Sequence, residues 1–110
     1  MDTREVEFLK KLAEAYTTFN ADLIEDYLAD DMHYASVQVF HEMTSKEEYL
    51  EYLRAKLDVF KKANTKFNFR IVDGRMHEKG LMVDDDGGFV ADFDDNGKVK
   101  MLNITYRTFF

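Results

Sequence analysis

The stretch from Phe89 to Tyr106 limits the possible folds of this chain more than any other. Asn96-Gly97 lies between two strand-like runs, and Asn-Gly is the strongest short hairpin signal because both turn positions favour positive φ. With those two residues as the whole loop, Asp95 faces Lys98 and every opposing pair follows by counting outward. One face then carries Phe93/Lys100, Ala91/Leu102, Phe89/Ile104 and Gly87/Tyr106. The other carries Asp94/Val99, Asp92/Met101, Val90/Asn103 and Gly88/Thr105. The first face is apolar nearly throughout, and a slip of one residue would scramble it, so turn chemistry and patterning select one register. That face must be covered, and the rest of the chain has to supply helices for it.

Residues from about Thr3 to Phe19 carry Val6, Leu9, Leu12, Ala13 and Tyr16 at three- and four-residue spacing, the pattern of an amphipathic helix. Asn20 can cap a second, shorter helix that buries Leu23, Ile24, Tyr27 and Leu28 and ends at Ala29-Asp30-Asp31. Met32 to Phe40 alternates and is rich in β-formers, so a strand is expected there. Thr44…Glu47 and Ser45…Glu48 are overlapping capping boxes that open a helix running to about Ala63. Phe67, Phe69 and Ile71 mark the next strand, with Asp73-Gly74 expected as a bulge inside it and the turn at Glu78-Lys79-Gly80. Leu81–Val83 is a short strand, and Asp84–Gly88 turns back into the opening hairpin. This order is an α+β layout, expected as a curved antiparallel sheet wrapped around three helices in one domain spanning residues 1–110.

A chain of 110 residues can bury roughly two-thirds of its unfolded surface. The 22 acidic against 15 basic residues give a net charge of −7, which argues against nucleic acid and anionic membrane surfaces as partners. The absence of cysteine removes disulfide and thiol chemistry. The opening Met1–Glu7 lacks the apolar core of a signal peptide, so a cytoplasmic location is the expectation.

Tyr16…Asn20-Ala-Asp22-Leu…Tyr27-Leu-Ala-Asp-Asp31, followed by a strand and a capped long helix, resembles the nuclear transport factor 2-like superfamily. Phe93-Asp-Asp-Asn-Gly97-Lys-Val99 before a long last strand is similar to it as well, so the resemblance covers almost the whole chain. It implies an open cone of curved sheet and helices, shared by ketosteroid isomerases, polyketide cyclases and scytalone dehydratases. It also implies that Tyr34, Ser36 and Gln38 point inward together with Phe89, Ala91, Phe93, Leu102, Ile104 and Tyr106. Aligned on Ala29-Asp-Asp31, the isomerase general-base aspartate falls at Ser36. Aligned on Phe93…Gly97, the isomerase's buried acid falls at Phe89, and its helix-1 tyrosine falls nearer Leu12 than Tyr16. A serine without a neighbouring base has no useful basicity, so the isomerase mechanism does not transfer.

Asp92-x-Asp94-x-Asn96-Gly97 matches the first half of a calcium-binding loop, but the closing glutamate position is Asn103 and strands flank it where helices are required. An acidic hairpin is the better reading, and neither a metal nor a cofactor is expected. Of His33, His41 and His77, only His41 is placed at the mouth of the cone, as a rim candidate. No histidine pair has metal-ligand spacing. The expected pocket is lined by Tyr16, Tyr34, Ser36, Gln38, Phe60, Phe89, Leu102 and Tyr106: a few polar groups among apolar walls. The bland alternative is that the phenols simply fill the cone, each hydroxyl satisfied by backbone or water.

Binding of a small neutral hydrophobic molecule without chemistry is the leading expectation. A lyase or isomerase using Tyr34, Tyr106 or His41 is the alternative, and an interaction domain with a filled cone is a third. All three helices are needed to close the cone, leaving no segment for the outer sheet face. Val90, Val99, Met101 and Asn103 on that face are therefore expected to form a homodimer interface.

Overall fold

A computed structural model describes residues 3–36, 42–84 and 87–110. The elements are α1 (Thr3–Thr17), a short 3-10 helix (Ala21–Tyr27), β1 (Leu28–Ser36), α2 (Lys46–Lys62), β2 (Phe69–Asp73), β3 (Lys79–Val83), β4 (Gly87–Phe93), β5 (Val99–Tyr106) and a 3-10 turn (Arg107–Phe109). One sheet takes the order β1-β5-β4-β3-β2 and packs under the helices, an α+β architecture. No described helix is long and apolar enough to cross a membrane.

The helix ends follow from their local chemistry. Ser45 caps α2 by accepting from the Glu48 backbone N–H at 3.1 Å, while the Glu48 carboxylate accepts from Thr44 N–H at 3.0 Å. The side chain of Asn20 accepts from Asp22 N–H to start the 3-10 helix. Phe19 and Asn64 take left-handed φ values of 56° and 54° just past α1 and α2, where glycine is commoner. Phe19 accepts that conformation because its ring packs on the core.

Strands β2 to β5 form the expected antiparallel meander, but β1 joins β5 in parallel, so the sheet is mixed. Alternation assigns a residue to a face and says nothing about the direction of the neighbouring strand. β1 also begins four residues earlier than expected, at Leu28, with an irregularity before His33 where its register on β5 shifts. Asp73 pairs with Lys79, so β2 ends there and Gly74–Glu78 is a loop; the expected bulge does not form.

The hairpin register holds from Gly87↔Tyr106 through Asp92↔Met101 and then shifts by one residue, pairing Phe93 with Val99. Within this loop only Gly97 has positive φ (77°), and its N–H bonds to Asp94 O at 3.0 Å. The loop is therefore a type I turn closed by a glycine bulge rather than a two-residue turn. Lys100 is the extra residue of a second irregularity in β5, and Val99 turns into the core, where it is 0% exposed, instead of onto the outer face.

The outer face is not left bare either. Phe110 folds back over Met82, Val90 and Val72, and its carbonyl accepts from Met76 N–H and His77 N–H. Gly80 lies beneath the ring; a Cβ there would sit 2.4 Å from it. Two residues of the expected dimer face, Val90 and Val99, are thus buried within the chain itself. Phe110→Ala should cost about 2–4 kcal/mol, lowering the melting temperature by several degrees. Gly80→Ala should also destabilise by displacing the ring, and a urea-denaturation double-mutant cycle should give a combined loss smaller than the sum. Equal penalties for Gly80→Ala with and without Phe110 would rule out that packing.

Candidate functional site

The three- and four-residue spacing of α1 buries Phe8, Leu9, Leu12, Ala15 and Tyr16 against the sheet. α2 buries Tyr49, Leu50, Leu53 and Leu57 and carries Tyr52, Lys56 and Phe60 along one flank. Between these helices and the inner sheet face lies a cavity of about 200 Å³ lined by Tyr16, Lys56, Phe60, Phe67, Val83, Phe89 and Ile104. Tyr16 meets Phe60, Phe67, Phe69 and Phe89 at ring-centroid distances of 6.4, 5.6, 5.9 and 5.4 Å.

Three of the expected residues, Tyr16, Phe60 and Phe89, line this cavity. Tyr34, Ser36 and Leu102 lie beside it: Ser36 pairs with the lining residue Ile104, and Tyr34 pairs with Leu102 one step along the strands. Tyr106 shares their strand parity but is 56% exposed, so its phenol lies outside the interior. Gln38 and His41 fall outside the described residues. Lys56, Phe67, Val83 and Ile104 complete the lining; Ile104 shares the inward parity read from the sequence. Lys56 could have been found from its spacing, four residues after Tyr52 and four before Phe60 on the same helix face.

A set of phenols sits next to the cavity. Tyr34 and Tyr49 are fully buried and stack at 4.6 Å, and Tyr52 lies 5.6 Å from Tyr34. By strict hydrogen-bond geometry neither the Tyr34 nor the Tyr49 hydroxyl has a partner among the described residues, but Ser36 and Tyr52 stand close enough to the Tyr34 hydroxyl to act on its ionisation. Burial raises the phenol pKa of Tyr16, Tyr34 and Tyr49 well above its ordinary value, and the neighbouring phenols add to the shift. These groups are therefore neutral donors at physiological pH, able to bond a carbonyl or ether oxygen and unable to act as bases. Among the described residues, Lys56 is the only charged one in the lining. Its ammonium donates to Tyr52 Oη at 3.0 Å and stands 5.3 Å from the Tyr52 ring centre and 5.9 Å from that of Phe60.

The remaining polar candidates are engaged elsewhere. His33 Nδ1 lies 2.8 Å from Glu42 on the surface, and His77 pairs with Asp92 at 3.3 Å beside Phe110. The Asp94 carboxylate accepts from the N–H groups of Asn96 and Lys98 and so serves the turn. A larger hollow of about 340 Å³ near the start of α2 is lined by charges of both signs, including Arg54, which is paired with Asp22 and Glu25.

The raised phenols tie stability to alkaline pH. A folded-state pKa above the unfolded value contributes stability that is intact below the ordinary phenol value of 10.0 and is lost as pH rises beyond it. Phenolate absorbance from Tyr16, Tyr34 and Tyr49 should appear only together with loss of the circular-dichroism signal, in one cooperative step above pH 10. Complete tyrosine ionisation with the fold intact would contradict this burial.

No protein-family model and no curated protein sequence matches this chain. Solved structures do. A nuclear transport factor 2-like protein of unknown function from Cytophaga hutchinsonii superposes with a TM-score of 0.62 at 11% identity, over 93% of this chain and 88% of that one. A SnoaL-like protein of unknown function from Burkholderia thailandensis gives 0.68 at 15% identity, covering 96% and 97%. A steroid delta-isomerase from Pseudomonas aeruginosa gives 0.68 at 14% identity, covering 97% and 82%. With the helix-over-sheet cavity and this strand order, the chain has the cone-shaped nuclear transport factor 2-like fold.

Proposed function

We propose that this chain binds a small hydrophobic molecule in the cavity between α1, α2 and the inner sheet face. The carrying observation is the lining itself: among the described residues, six aromatic or aliphatic side chains and one ammonium around about 200 Å³. Small-molecule sites are mostly apolar with a few polar groups that fix orientation, and the buried phenols beside this one are donors of that kind. Catalysis has less support. The lining among the described residues contains no carboxylate or imidazole, and Ser36 and Phe89 stand where the isomerase acids would be. Glu5 is a buried carboxylate, but it is not part of the lining.

A thermal-shift screen of lipophiles, steroids and polyketides tests this reading. A ligand at a hundred times its dissociation constant stabilises by about 2.7 kcal/mol, which amounts to several degrees. Val83→Phe should fill the cavity and abolish the shift while the protein stays folded, since overpacking costs about 1–3 kcal/mol. A screen in which nothing shifts the wild type, or a shift that survives Val83→Phe, counts against the site.

Self-association is a second proposal, through what Phe110 leaves accessible of the outer face. Met101, Asn103 and Thr105 on β5 are half-buried, a mixed apolar and polar strip that suits a two-fold contact. Light scattering should give a dimer mass for the wild type and a monomer for Met101→Glu; a wild-type monomer at tens of micromolar (roughly the working range for such contacts) removes the proposal.

A further inference from the structure

We propose that the molecule taken by this cavity is an amphipathic monocarboxylic acid, its apolar body inside and its carboxylate on Lys56. This inference rests on the cavity being a ligand site, and it departs from the neutral ligand expected from sequence. Lys56 is half-buried in a lining that is otherwise apolar or phenolic. Its contacts among the described residues are the Tyr52 hydroxyl and the rings of Tyr52 and Phe60; no carboxylate is among them. Other lysines of this acidic chain do find acids, as in Lys11–Glu14, Lys62–Asp58 and Lys79–Asp73. The sequence shows why Lys56 does not: its helical neighbours three and four residues away are Tyr52, Leu53, Val59 and Phe60, all uncharged.

An ammonium held at an apolar cavity by two rings is less screened than one in water, so an anion gains more by meeting it there. One ammonium, with no arginine fork or second cation in the lining among the described residues, matches a single negative charge and favours carboxylate over phosphate. The Tyr52 hydroxyl, already bonded to Lys56, is placed to donate to the same head group. Size narrows the body. A cavity of roughly 150 Å³ accommodates benzene, so about 200 Å³ suits one ring with a short tail or a medium aliphatic chain.

Calorimetric titration of phenylpropionate and octanoate, each beside its alcohol analogue, tests the assignment at low salt. The wild type should bind each acid about tenfold more tightly than its alcohol, the order expected of one partly desolvated ion pair. Lys56→Met keeps the aliphatic stem and should lose the preference, binding each acid no more tightly than its alcohol; Lys56→Arg should retain it. Equal affinity of wild type for acid and alcohol, or a preference that persists in Lys56→Met, overturns the carboxylate assignment and leaves the hydrophobic site standing. If neither acids nor alcohols bind and no lipophile of the thermal screen shifts the protein, the site itself is wrong and this proposal goes with it.

Discussion

Tyr16 is where the two layers of this fold meet. Its ring contacts Phe60 from α2, Phe67 from the segment leading into β2, Phe69 from β2 and Phe89 from β4. Edge-on and tilted ring pairs of this kind contribute roughly 0.5–1.5 kcal/mol each beyond the area they bury. Together they set how far α1 and α2 stand off the sheet. Rigid planar rings meeting at steep angles, such as 86° for Tyr16 on Phe67, do not tile space the way aliphatic side chains do. The cavity beside them follows from that geometry: the contacts that fix the helices also leave the gap.

The centre of the sheet was legible from one turn and an alternating pattern, and the point where that reading stopped is instructive. Every pair from Gly87/Tyr106 to Asp92/Met101 follows from counting, because a burial pattern of period two tolerates no slip. Beyond Asp92 the turn chemistry takes over. Asp94 offers its carboxylate to two backbone N–H groups, which favours a type I turn at Asp94–Gly97 and requires positive φ only of Gly97. One extra residue, Lys100, then reverses the facing of Val99. Asp94 was a visible signal for this; aspartate at the first position of a turn is common for this reason.

What sequence could not supply is contact between distant segments. Nothing local to Arg107–Phe110 says that Phe110 will lie across β3 and β4, and nothing local to Gly80 says that it makes room for a ring thirty residues away. The same holds for β1, whose alternation identified Tyr34 and Ser36 as sharing a face but not that their neighbour would be β5 in parallel. The candidate site divides along this line. Tyr16, Phe60 and Phe89 were found because each lies on a periodic apolar face. Lys56 was not, because a lysine beside an apolar stripe reads as solvated until the structure shows what surrounds it.

The interior is not arranged for stability alone. A buried hydroxyl with no partner costs about 1–3 kcal/mol, and among the described residues Tyr49 carries one beside the buried hydroxyl of Tyr34. Phenylalanine would keep the 4.6 Å stack between them and avoid that cost. An unfilled cavity is a second loss, through the dispersion contacts its lining forgoes. A half-buried ammonium without a carboxylate is a third local conflict. Conflicts of this sort between local chemistry and folding concentrate where a protein meets something other than itself. Here they are joined by one side chain: Tyr52 packs its ring 5.6 Å from Tyr34 and accepts the Lys56 proton on its hydroxyl. The charge at the cavity and the phenols behind it therefore belong to one polar unit beside an apolar lining. An occupant that engaged Lys56 would act on Tyr52, and through it on the most deeply buried phenols of the fold.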